Sequence, residues 1–448
     1  MSAAEQIKPA RPKFSPAVRL QLLATAIVLG IVICNLGTLA SVLAVKREAP
    51  KRAKFVPATE GTWRFIVSGD SRNCGDVVMP AIAAQSVERY QPSFYWHLGD
   101  LRAIYKIDED MAGAAQKAGQ HLSCESYHDR AWQDFIDHQI VPFGLTRFYL
   151  GIGNHEVIAP KTAAEFSSQF QDWLVTPRLL MEDPDKGEIA AAKSGSCRKI
   201  SRRPYLSATP YYHWIRGRID FIYLDNSSGA FPSDQLDWFD CTLERAYNND
   251  GISTVVLGMH EALPSSRASE HAMCDDAIDD AIEDPARKKE SCESGNHVYE
   301  ALLEFQKRKK VYVLASHSHF YMRGIFDNQP PGKRLDGWIV GTAGALRYPL
   351  PPGTQPGPEA RTDVYGYLQG TVQVDGKIDF KFQEVAESDI PGEVRQQYPA
   401  TLISWCFAKN SRNQEPNSEE TTNRCKAPIP SSSPVPARTK PHASSKDH

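Results

Sequence analysis

The chain has 448 residues, a formal net charge of −3 and 41% hydrophobic residues. Its length allows one large domain or two ordinary ones, and its apolar content supports a substantial core, which excludes a disordered protein. With no basic excess, nucleic acid is excluded as the main partner.

A basic segment (1–19) precedes residues 20–45, which carry no charge and are mostly Leu, Ile, Val, Ala and Gly. A run of this length crosses the roughly 30 Å hydrocarbon layer, so it predicts an N-terminal transmembrane helix that anchors the chain in a membrane. The alternative is a cleaved signal peptide, with Val42 and Ala44 ahead of the cut and a secreted product. Lys and Arg lie on both flanks, so charge sets no orientation. Of the nine cysteines, Cys34 lies in the apolar run and all the others, Cys74 to Cys425, follow it. An even number beyond a membrane segment predicts disulfides in an oxidising compartment and an exported domain.

Residues 46–60 read as a linker, 61–408 as the folded domain, and 409–448, rich in Ser, Pro and charge, as a tail without a fixed fold. "RFIVSGD" and "FYWHLGD" flank "DVVMPAIAAQSVERY", which predicts strand, helix, strand. "PSDQLDWFDCTLERAYNNDG" predicts a helix with Ser233 as its N-cap and Leu236, Phe239 and Leu243 on one face. "DDAIDDAIED" (275–284) reads as a solvated helix surface, because it lacks the central glycine of a calcium loop. "VYEALLEFQKRKK" predicts another helix, with Val298, Leu302 and Phe305 inward. The alternation implies α/β layers.

Five apolar runs end in residues able to bind a metal. "RFIVSGD" delivers Asp70, "FYWHLGD" Asp100, "RFYLGIGNHE" Asn154 and His155, "TVVLGMHE" His260, and "VYVLASHSH" His317 and His319. Residues i and i+2 of a strand point to one side, about 6.5–7 Å apart. Two imidazoles so placed suit separate metal ions about 3.5–4 Å apart. In open α/β sheets, ligands bind beyond the carboxyl ends of strands, where these residues would meet.

These motifs, with "GRIDFIYLDNSSGAFPSDQLDWF" and "GWIVGTAGA", resemble the calcineurin-like metallophosphoesterases, which include the purple acid phosphatases, over about residues 62–385. The resemblance implies two mixed β-sheets sandwiched between helices, and hydrolysis of phosphoric esters by a hydroxide activated on two metal ions of the Fe, Zn or Mn type. It assigns Asp100 to both metals, Asp70 and His319 to the first, and Asn154, His260 and His317 to the second. His155 would stabilise or protonate the leaving group. The substrate class would be phosphomonoesters or phosphodiesters, chosen by loops such as 103–146, 181–210 and 261–297.

The chain departs from that pattern at two places. Arg72, in "GDSRNCG", stands where many members have His and purple acid phosphatases have Gly. Arginine stays protonated and is not an ordinary metal ligand. Purple enzymes carry Tyr three residues after the GD aspartate; here Ala103 is there and Tyr105 is the nearest tyrosine. Arg72 is therefore expected to act on substrate phosphate, with Arg102 and Arg347 as further phosphate-binding residues.

Two other functions compete. "GDSR" suggests a GDSL-type serine esterase with Ser71 as nucleophile, but none of the thirteen histidines follows Asp at the DxxH spacing that would supply its base. A non-catalytic metal- or phosphate-binding protein on the same fold is the other.

Overall fold

The apolar, β-branched and aromatic runs form twelve strands among the residues that the computed structural model describes, 61–174, 209–268, 271–274, 285–408 and 424–425. In chain order these are β1 (Trp63–Ser68), β2 (Phe94–His97), β3 (Arg147–Leu150), β4 (Tyr212–Arg216), β5 (Ile219–Tyr223) and β6 (Thr254–Gly258). They continue as β7 (Lys310–Ala315), β8 (Tyr321–Arg323), β9 (Asp336–Val340), β10 (Ala360–Arg361), β11 (Tyr365–Val372) and β12 (Ile378–Val385). The helices are α1 (Gly75–Tyr90), α2 (Glu109–Lys117), α3 (Cys124–Phe135), α4 (Ala163–Gln169), α5 (Ser233–Asn248), α6 (Pro285–Phe305), α7 (Gly392–Gln397) and α8 (Ala400–Phe407).

A five-stranded sheet runs β12-β11-β1-β2-β3 and a seven-stranded sheet runs β10-β8-β9-β7-β6-β5-β4. In the first, β1, β2 and β3 are parallel, β11 is antiparallel to β1, and β12 is antiparallel to β11. In the second, β5, β6, β7 and β9 are parallel, β4 and β8 run against them, and β10, antiparallel to β8, returns to their direction. Both sheets are mixed, as expected.

The inner faces meet through aromatic rings. Phe65 of β1 lies 5.2 Å from Phe221 of β5, Trp96 of β2 lies 5.0 Å from Trp214 of β4, and Phe380 of β12 lies 4.4 Å from Trp338 of β9. Such pairs add about 0.5–1.5 kcal/mol each beyond the burial of their area. On the outer face of the first sheet, α1 buries Val77, Val78 and Ile82 in the same core. On the outer face of the second, α5 and α6 bury Phe239, Leu243, Val298, Leu302 and Phe305 against Ile222, Leu257 and Val313. The layers are therefore helix, sheet, sheet, helix. One boundary differs from expectation: Ser233 is the first helical residue rather than the cap, because the Pro232 carbonyl already accepts from the Gln235 and Leu236 amides.

Disulfides join Cys74 to Cys406, Cys124 to Cys425, and Cys274 to Cys292, and Cys241 is also disulfide-bonded. They fit an extracellular or exported domain. Arg424 bridges Lys106, and the Cys425 amide donates to the Tyr105 carbonyl, so these two residues of the tail are fixed on the domain. Among the described residues no helix is long and apolar enough to cross a membrane. The expected span at 20–45, the linker, residues 275–284 and most of the tail lie outside the described residues.

Candidate metal centre

The five strand ends converge. β1, β2 and β3 of one sheet lead to Asp70, Asp100 and Asn154–His155, and β6 and β7 of the other lead to His260 and to His317 and His319. The turns are tight: Asp70, Asp100 and His317 have φ of 59°, 59° and 64°, left-handed values that disfavour a side chain by about 1–2 kcal/mol. Hydrogen bonds hold them there. The Asp70 amide donates to Gly99 O (3.0 Å), the Ser71 amide to Asp100 O (2.9 Å), and the His317 amide to Asp70 Oδ2 (2.7 Å). Glu156 joins two loops, its carboxylate accepting from the amides of Asp100 (2.9 Å), Leu101 (2.9 Å) and Gly153 (2.7 Å). Gly153 cannot be replaced without movement, since a Cβ there would lie 2.3 Å from Asp100 Oδ1.

One cluster of donors surrounds His260. Its Nδ1 donates to Leu98 O (2.9 Å), so in the neutral ring Nε2 carries the lone pair. That Nε2 faces Asn154 Oδ1 at 3.0 Å, His317 Nδ1 at 3.1 Å and Asp100 Oδ1 at 3.2 Å. Lone-pair atoms this close repel unless positive charge sits among them. Burial works against charge on the ring, yet the Asp100 carboxylate raises His260 to about 9, so the protein answers with an imidazolium. One carboxylate, one amide and two imidazoles are a donor set that a divalent transition metal accepts in place of that proton.

The second cluster is Asp70, Asp100 and His319. The Nδ1 of His319 donates to Leu346 O (2.5 Å), leaving Nε2 as acceptor 3.4 Å from Asp70 Oδ1. Asp70 Oδ1 and Asp100 Oδ2 are buried with no hydrogen-bond partner, which fits a cation between them. Burial raises Asp70 to about 7, whereas Asp100, although buried, is held well below the carboxylate range by His155 and His260. Arg72 enters this cluster. Its Nη2 donates to His319 Nε2 at 3.0 Å, and its Nε stands 3.7 Å from Asp100 Oδ2.

His155 lies beside both clusters. Its amide donates to Asp100 Oδ1 (3.1 Å), its Nδ1 donates to Ala103 O (2.6 Å), and its Nε2 stands 3.6 Å from Asp100 Oδ2. Burial and the Arg72 guanidinium lower it to about 4, so the ring is neutral at neutral pH. The Tyr105 ring, 36% exposed, packs 5.4 Å from it, and so Tyr105 does approach the centre. Tyr348, whose ring lies 3.9 Å from that of His319, and His271, which stacks on Tyr348 at 5.1 Å, complete the wall. Sequence reasoning gave no role to Tyr348, His271 or Glu156. Only Glu156 carried a signal, three residues after Gly153 in "GNHE".

Two arginines expected at the phosphate are elsewhere. Arg102 is fully buried, donating to Asp76 (2.6 Å), Asp110 (3.1 Å) and Asp134 (2.5 Å). Arg347 is buried too, with Nη2 donating to the carbonyls of Cys406 and Ala408 and its guanidinium 4.3 Å from the Tyr365 ring centre. Arg102 closely follows the GD motif and Arg347 the "GWIVGTAGA" stretch, but both turn inward and their charge is spent on the protein. The serine-esterase alternative also fails on geometry. Ser71 is buried, and its Oγ lies 3.0 Å from His97 Nε2. The Gly99 amide donates to His97 Nδ1, so the proton of the neutral ring is on Nε2, which donates to the serine and cannot take its proton.

No protein-family model and no curated protein matches the chain. Among solved structures it is similar to the purple acid phosphatase PPD1 of yellow lupin (Lupinus luteus), at 14% identity over 75% of this chain and 56% of that one, with a TM-score of 0.41. PhoD is similar at 13% identity over 79% of this chain and 77% of that one, with a TM-score of 0.40. The 5'-nucleotidase of Candida albicans is similar at 12% identity over 80% of this chain and 59% of that one, with a TM-score of 0.36. The chain thus spans somewhat over half the length of the lupin and Candida proteins. All three solved structures are metallophosphoesterase-type folds.

Proposed function

We propose that this chain is a metal-dependent phosphoric ester hydrolase. The observation that carries the reading is the pair of donor clusters sharing Asp100, with two buried carboxylate oxygens that lack a hydrogen-bond partner. Bound metal would supply a hydroxide at neutral pH and stabilise charge on the phosphoryl oxygens. Asp100 would reach both positions, with Asp70 and His319 at the first and Asn154, His260 and His317 at the second.

The remaining residues have separate tasks. His155 is held by Ala103 O in the tautomer with a free Nε2 lone pair, the state that accepts a proton. Burial and the Arg72 charge keep the ring neutral; an arriving phosphate dianion opposes the second of these, so His155 can then carry a proton to the leaving oxygen. Arg72 offers a fixed positive charge beside the reacting group. Tyr105 and Tyr348 give the mouth apolar walls. The reading is favoured over the non-catalytic alternative because His155 Nε2, the one ring nitrogen not held by Ala103 O, stands beside both clusters, 3.6 Å from Asp100 Oδ2. The disulfides and the apolar run at 20–45 together support an exported domain anchored in a membrane.

The test is a panel of phosphomonoesters, phosphodiesters and nucleotides, offered to the chain after loading with Mn, Zn or Fe. Hydrolysis of at least one class, lost with EDTA and lowered about 10²–10⁴-fold in kcat by His155→Asn, is expected. Metal-loaded protein that hydrolyses none of them would leave the binding alternative in its place.

A further inference from the structure

We infer that the Arg72 guanidinium competes with metal for the first position, so that the centre keeps one resident ion at Asn154, His260 and His317 and a labile one at Asp70 and His319. The inference rests on the metal-centre reading above and assigns an inequality that the donor residues alone do not predict.

His319 can offer only one nitrogen to a metal, because Nδ1 is committed to Leu346 O. The lone pair on the other, Nε2, already accepts from Arg72 Nη2 at 3.0 Å. A guanidinium does not deprotonate in a protein, so it cannot yield by losing a proton, as an imidazolium can. An ion drawing on His319 Nε2 and Asp100 Oδ2 therefore meets a permanent positive charge 3.0 Å and 3.7 Å from those same atoms.

Arg72 is also held in place. It is 7% exposed, its Nη2 lies 3.5 Å from Tyr348 Oη, and the Tyr348 ring covers His319 at 3.9 Å. Moving the guanidinium out would mean leaving the buried Asp100 Oδ2 and displacing a packed tyrosine. The other cluster has no such competitor. Among the described residues the polar neighbours of His260 are Leu98 O, Ser316, Asn154, His317 and Asp100, none of them a permanent cation. A metal ion there has no permanent cation to displace.

The experiment counts metal and does not use activity. The full chain and its variants are loaded with Zn(II), desalted and analysed for retained zinc, and re-addition is followed by calorimetry. About one ion per parent chain is expected, lost in Asn154→Ala and kept in Asp70→Asn. Arg72→Ala and Arg72→Gln should each retain about two, the second binding about 10- to 100-fold more tightly than in the parent. Circular dichroism identifies any variant that fails to fold, and two Arg72 variants guard against one doing so. A parent that holds two ions tightly, or folded Arg72 variants that still hold one, overturns the inference and leaves the hydrolase reading standing. No retained zinc in any protein overturns both.

Discussion

Two arginines, one set among carboxylates from three helices and the other among carboxylates from strand-end loops, behave in opposite ways. Arg102 is surrounded by Asp76, Asp110 and Asp134, whose oxygens are all taken. Asp76 also accepts from Gln139 and Tyr398, Asp110 from the amides of Asp76 and Met111, and Asp134 pairs with His138. Arg72 faces Asp70 and Asp100, each with an oxygen that no hydrogen bond reaches. The first group is closed on itself and the second is the proposed site, and residue types do not separate them: Asp76, Asp134 and His138 also lie close enough together to hold a metal. What separates them is which lone pairs are still available once the protein has folded.

The contrast can be broken from either side. Asp100→Asn removes the carboxylate shared by both clusters; hydrolysis should fall by about 10³-fold or more and metal content should drop, while far-UV circular dichroism stays near that of the parent. Arg102→Leu should do the reverse. It strands the buried carboxyl groups of Asp76 and Asp110 and the half-buried Asp134, and urea unfolding should record a loss of about 3–5 kcal/mol, with metal binding preserved in whatever fraction folds. Unchanged stability in that variant would mean that the closed group does not brace the fold.

A smaller effect tests what holds that group shut. The Cys74–Cys406 bridge joins the start of α1 to α8, across 332 residues of sequence, and the nearby Tyr398 reaches Asp76. The double variant Cys74→Ser, Cys406→Ser should lose about 2–4 kcal/mol in thermal or urea unfolding. The smallest effect is a pH slope. Burial raises Asp76 to about 7, from 3.8 in a free side chain, so the folded chain binds an extra proton between those values. Stability from this group is present below about pH 4 and is lost as the pH rises through 7. Melting temperatures measured in EDTA should therefore fall from pH 5 to pH 8, by on the order of 1 kcal/mol in stability, and Asp76→Asn should flatten the slope. A slope of the opposite sign would show that the cage is fully ionised.

The clustering of the proposed donors was legible because each follows an apolar strand, and a parallel sheet brings such ends to one edge. Asp70, Asp100, Asn154, His260, His317 and His319 could all be named from "GD", "GNH", "MHE" and "HSH". The layered fold was legible for the same reason. Arg102 and Arg347 were misread because closeness to a motif in sequence says nothing about which way the chain turns next, and both turn inward. The left-handed backbone at Asp70, Asp100 and His317 gives no compositional sign, since glycine, the usual marker of such turns, is absent from those positions. Tyr348 and His271 come from loops that meet the centre only through folding.

The origin of the donors has a mechanical consequence. Asp100 and Asn154 belong to the five-stranded sheet's loops, while His260 and His317 belong to those of the seven-stranded sheet. An ion held by all four is a rivet through the rim of the sandwich, fastening two halves that otherwise adhere by aromatic contact and by hydrogen bonds such as His317 N to Asp70 Oδ2. Free metal at about 100 times its dissociation constant would add about 2.7 kcal/mol to the strength of that joint. Chelation should then do more than silence the centre: it should let the sheets part at that edge first, and hydrogen exchange should report the opening in β2 and β6 before the outer strands.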